Sequence, residues 1–223
     1  MAAPWISKVK ASGKLAVFVS DAVKRGAWAN AFTQAFAEFN RLAAGGKFGV
    51  TLTLASAPPD PDGLGGADVN FDVGNGRTTF KAMGQEFAVN ILGSQMHGHT
   101  QVVGFSDGSG KVTEVIKSFV FLPAAPTINS GPAGNQVVRP VGDAIRTFIA
   151  VHEFIHCAGL SNSDHSPGNV PDVFLGQPQP VSGAKPQDDK MLLFLGNPNI
   201  FAPPITVSSR TTGVIQGLWP QQP

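Results

Sequence analysis

The chain has no tyrosine and a single cysteine in 223 residues. No phenol can therefore assist any chemistry here, and no disulfide can close within the chain. Only 14% of residues are charged, and the net charge is +1. A general attraction to nucleic acid or to acidic membranes is not expected from that balance. Apolar runs are too short to span a bilayer. No repeat is evident, and Met1-Ala2-Ala3-Pro4-Trp5 lacks the basic and apolar regions of a secretion signal. Histidine is also scarce, with five residues, and glutamate is limited to Glu38, Glu86, Glu114 and Glu153. Glycine and proline are plentiful, at 26 and 18. They crowd positions 123–140 and 167–204, which read as long ordered loops.

Two of the few histidines and one of the few glutamates fall together. Residues 152–160 read His152-Glu153-Phe154-Ile155-His156-Cys157-Ala158-Gly159-Leu160. With this composition the pattern arises by chance in roughly one shuffled chain in 500. The run from Ala144 to Ala158 has no proline or glycine and carries apolar residues around most of a helix. Asp143 suits its start and Gly159 its end. Residues four apart on a helix differ by about 40° in direction and roughly 6 Å in height, so His152 and His156 can share one metal ion. Glu153 stands beside them, placed to act on a water rather than to bind the metal. Cys157 reads as a small buried hydrophobe.

A catalytic zinc takes three protein ligands and keeps a place for water. No glutamate follows the motif, which excludes a glutamate on a later helix as the third ligand. Downstream candidates are His165, Asp164 and the other aspartates. The segment resembles the metzincin clan of zinc peptidases, in its matrixin-like branch. The clan pattern is His-Glu-x-x-His-x-x-Gly-x-x-His. His152, Glu153, His156, Gly159, Leu160 and Ser163 match, and Asn162 stands at the third ligand's position. The preferred solution is a slightly longer loop that brings His165 to the metal; Asp164 and Asn162 are the alternatives.

That resemblance implies a zinc-dependent endopeptidase, with His152, His156 and His165 holding Zn2+ and Glu153 as general base and acid. A zinc hydrolase of small amides and a degenerate, binding-only relative are the rival functions. It further implies an α/β (α+β) domain spanning 1–223. A twisted, mostly parallel sheet, a long backing helix and the active-site helix would form an upper subdomain, 1–159. A loop-rich lower subdomain, 160–223, would hold Met191 in a turn beneath the metal and end in a helix. The partner would be a protein or peptide substrate, the chain a monomer, and secretion is what the resemblance favours. The tyrosine that assists some clan members is excluded here.

Individual segments fit that plan. Residues 14–20 read as a first strand, Ala27 to Ala44 as a helix ended by Gly45-Gly46, and residues 50–54, 67–73 and 112–122 as strands. The clan's sheet edge runs antiparallel to bound peptide, and either the stretch from His97 to Phe105 or that from Val112 to Leu122 should supply it. His97-Gly98-His99 reads as a surface pair. The acidic loops at 60–68 and 107–110 leave Ca2+ open, although neither meets the EF-hand spacing. A terminal helix should start at Ser208 or Ser209 and pack through Val214, Ile215, Leu218 and Trp219.

Overall fold

A computed structural model describes residues 2–95, 97–130, 137–161, 175–176, 205–207 and 209–220. In chain order the elements are α1 (Ser7–Ser12), β1 (Lys14–Val19), α2 (Asp21–Arg25), α3 (Ala29–Gly46), β2 (Thr51–Leu54), β3 (Val69–Gly74), β4 (Gly76–Ala82) and β5 (Gln85–Ile91). They continue with β6 (His99–Ser106), β7 (Val112–Pro123), β8 (Thr127–Ser130), β9 (Val137–Pro140), α4 (Asp143–Cys157), β10 (Leu175–Gly176), β11 (Thr206–Val207) and α5 (Ser209–Leu218). The arrangement is mixed α/β, with a mostly parallel five-stranded sheet.

The sheet order is β2-β1-β3-β7-β6. Four strands run parallel, and β6 alone is antiparallel, against β7. Alternation in β1 buries Leu15, Val17 and Val19, the period-2 signal of a half-covered strand. β7 differs: from Val115 onward it is buried on both faces. On one face Val120 and Leu122 join the core formed with the helices. On the other, Phe119 and Phe121 pack under the β4–β5 hairpin, with the Phe80 ring centroid 4.3 Å from that of Phe119.

That hairpin is not anticipated from the sequence. Its two-residue turn is Met83-Gly84, both at positive φ, 52° and 74°. Such turns favour Asn-Gly or Asp-Gly, and methionine in the first position conceals the signal. The expected stop of the long helix also shifts. The helix runs through Gly46, and the left-handed residue is Lys47. The ring of Phe48 lies on Gly46, where a Cβ would come within 2.5 Å of it. The Phe48 N–H returns to the Ala43 carbonyl at 3.0 Å. Gly46 is thus required for packing against Phe48, not for turning the chain.

Helix α3 buries Ala31, Phe32, Ala35, Phe39, Leu42 and Ala43 along one stripe. Against it lies α4, fixed by Phe154. The Phe154 ring meets Phe32, Phe36, Phe39 and Phe71 at centroid distances of 5.9, 6.4, 5.8 and 4.7 Å. Phe154 and Ile155 are fully buried. The two unspecified positions of the His-Glu-x-x-His pattern are therefore the core anchors that aim the specified ones elsewhere.

The C-terminal end of α4 is pinned from both ends of the chain. Trp5 Nε1 donates to the Cys157 carbonyl at 2.7 Å, and Trp219 Nε1 to the Ala158 carbonyl at 2.8 Å. The Ala3 N–H donates to the Gly159 carbonyl at 2.9 Å. Last-turn carbonyls have no partner within a helix, and two buried indoles supply partners here. Trp219 and Ile215 bring α5 to this junction, as the terminal apolar spacing suggests. No described helix is long and apolar enough to cross a membrane.

Candidate metal centre

The site follows from the way α4 is held. With Phe154 and Ile155 turned into the core, His152, Glu153 and His156 line a cavity of about 420 Å³. The imidazole centroids of His152 and His156 lie 5.0 Å apart, with their planes at 73°. One metal ion can sit between rings so spaced.

His156 is held by its surroundings in a defined orientation. Its Nδ1 lies 2.8 Å from the Leu160 carbonyl oxygen. A carbonyl only accepts, so Nδ1 carries a proton, and in the neutral ring Nε2 is the nitrogen with the free lone pair. Metal-ligating histidines are typically oriented this way, through the nitrogen that does not bind metal. The chemistry of the donor set thus fits a divalent metal such as zinc. Leu160 can reach back because Gly159, at φ 113°, turns the chain after the helix.

Glu153 is 2% exposed. Burial pushes its carboxyl up to about 7, against a lowering by the hydrogen bond from Thr100. Thr100 Oγ1 donates to Glu153 Oε2 at 2.6 Å. A carboxyl that titrates near neutrality can take up and release a proton at ordinary pH. Gly98 presses on the same group: a Cβ there would lie 2.8 Å from Glu153 Cγ and 2.9 Å from Oε1.

The opposite wall of the cavity is the start of the edge strand. His97, Gly98, His99 and Thr100 complete the lining. His97 is exposed, but His99 is half-buried and also lines a second cavity of about 520 Å³. The expected surface pair is therefore part of the cleft. The second cavity includes Thr100, Val102, Val112, His156, Leu160 and Ser161. Of the two stretches that could form the sheet's edge, His97 to Phe105 does so as β6, while β7 is interior.

His165 lies outside the described residues, as do Asp164, Asn162 and Met191. Among the described residues no group of three or more His, Cys, Asp or Glu is placed to hold a metal ion. His152, Glu153 and His156 line one cavity, and the downstream residues expected as candidates for a third ligand lie outside the described residues. Thr100 and the Leu160 carbonyl were not legible as site groups. Thr100 is 53 positions from its carboxylate partner and matches no motif, whereas Leu160 enters the sequence pattern only as the residue after the glycine.

The acidic loops have partners of their own. Lys117 Nζ donates to the carbonyls of Leu64, Gly65 and Ala67 at 3.2, 2.7 and 2.7 Å. The cation those carbonyls face is an ammonium. Asp107 Oδ1 accepts from Ser109 N, Ser109 Oγ and Lys111 N in the β6–β7 turn. Cys157 is fully buried, with Sγ 3.4 Å from Ser118 Oγ, and burial pushes its thiol up to about 12. It behaves as a neutral core residue.

No protein family model, no curated protein and no solved structure matches this chain.

Proposed function

We propose that the chain is a zinc-dependent endopeptidase of metzincin type. The observation that carries this reading is the pairing of His152 and His156, 5.0 Å apart, with a buried Glu153 beside them, all facing one cavity. The sheet supports it as well. Its antiparallel edge strand, β6, borders that cavity, so an extended peptide could add to β6 with its backbone beside Glu153.

His152 and His156 would hold the ion, with His165 as third ligand. Bound zinc would supply Lewis acidity, lowering the pKa of water and polarising a carbonyl. Glu153 would take the proton of the attacking water and pass it to the leaving amine. The hydrogen bond between His156 and Leu160 would keep the imidazole in its ligating tautomer. The edge strand would orient the scissile bond.

Metal analysis and a paired activity assay test this. Purified protein should contain near-stoichiometric zinc, and His165→Ala should lose it. Glu153→Ala should keep zinc and lose cleavage of casein and of fluorescence-quenched peptides. Full residual hydrolysis in Glu153→Ala would overturn the reading. One sequence observation favours a second reading: Asn162 stands where a third histidine is expected. A binding protein with a degenerate site would carry no zinc and cleave nothing. Cleavage confined to small amides would identify the other rival.

A further inference from the structure

Glu153 sits on a helix, but the group that holds it comes from the edge strand. Thr100 Oγ1 donates to Oε2 at 2.6 Å. Thr100 is itself fixed, opposite Val120 in the β6–β7 ladder. Threonine is stiff at χ1, so the ladder sets the direction of its hydroxyl. Gly98, two residues earlier, lies beside the same carboxylate: a Cβ there would come 2.9 Å from the other oxygen, Oε1. The carboxylate is therefore held in a slot made by one strand, and only glycine at 98 leaves that slot open.

We propose that Thr100 is a positioning residue for Glu153, tying the placement of the base to the strand that would receive substrate. This rests on the reading of Glu153 as the proton carrier. The hydroxyl proton of Thr100 stays on Thr100 and occupies Oε2. Oε1 is then the oxygen that accepts the proton of the attacking water. The same proton later leaves Oε1 for the amine as the C–N bond breaks. Thr100 contributes no proton and forms no bond to substrate.

The test compares Thr100→Val, which keeps the shape but not the donor, with Thr100→Ser, which keeps the donor. Thr100→Ala provides a second donor-free variant should valine impair folding. Crystal structures should show the Glu153 carboxylate moved from its position in the valine variant and restored in the serine variant. On a fluorescence-quenched peptide, kcat should fall about 10-fold or more in Thr100→Val. KM and zinc affinity, measured by chelator competition, should stay close to wild type, and Thr100→Ser should recover most of kcat.

An unmoved carboxylate in the donor-free variants would overturn the proposal without any appeal to turnover. So would an unchanged kcat, or a joint loss of zinc affinity and thermal stability that serine does not rescue. The two failures are separable. An inactive Glu153→Gln beside an unaffected Thr100→Val removes only the role of Thr100. An active Glu153→Gln removes the base itself.

Discussion

Lys117 and Glu153 are both buried charged side chains, 1% and 2% exposed, and they are treated in opposite ways. Lys117 projects from β7 on the face away from α4, while its neighbour Ser118 meets Cys157 of α4. Its ammonium has three donors and meets three carbonyls. Burial lowers its pKa, partly offset by the nearby Asp68 and Asp60. Glu153 can accept several hydrogen bonds but has one from a side chain, and it opens on a cavity. A buried charge with every bond answered locks a loop onto a sheet. A buried charge with capacity to spare is available for chemistry.

The largest expected effect breaks the comparison at Glu153. Its replacement by Ala should lower hydrolysis by roughly 10²–10⁴-fold in protein that stays folded. The reverse pattern is expected at Lys117. Lys117→Met leaves three carbonyls without their donor and should cost about 3 kcal/mol in denaturant unfolding. Hydrolysis per folded molecule should persist. Were Lys117→Met instead to abolish activity in folded protein, the division between the two charges would be wrong.

A third prediction concerns pH. A glutamate near 4.5 in the unfolded chain is raised to about 7 in the fold. Between those values the metal-free native state binds more protons than the unfolded state. Stability should therefore fall as pH rises through that window, by on the order of 3 kcal/mol for this group alone. Glu153→Gln should remove that part of the slope, as chemical denaturation of the chelator-treated protein at pH 4.5, 6 and 8 would reveal. An identical slope in both proteins would contradict the burial argument.

The smallest effect is expected at Cys157, which is buried and neutral. Cys157→Ala should cost about 1 kcal/mol, and the native thiol should resist a disulfide reagent until the protein unfolds. Rapid labelling of folded protein would show that this part of α4 opens.

Much of this was legible in the chain because it is local. The motif's helix, the α3 stripe and the β1 alternation depend on neighbours within a turn or two, where periodicity carries the information. The β4–β5 turn was hidden because Met83 does not advertise a positive φ. The edge of the sheet was ambiguous because β6 and β7 both read as strands, and only their pairing shows which one is interior. The role of Lys117 was invisible, since nothing in its own segment indicates contact with a loop 50 to 53 residues earlier.

The sequence by itself determined that two imidazoles and a carboxylate share a helix, because 3.6 residues per turn places positions 152, 153 and 156 close together. It also set aside disulfides and any phenolic assistant through absence alone. Tertiary structure decided what surrounds them. It put Thr100 and Gly98 against Glu153 and the antiparallel strand beside the cavity. Those contacts depend on how distant segments pack, and packing is a property of the whole core rather than of any segment within it.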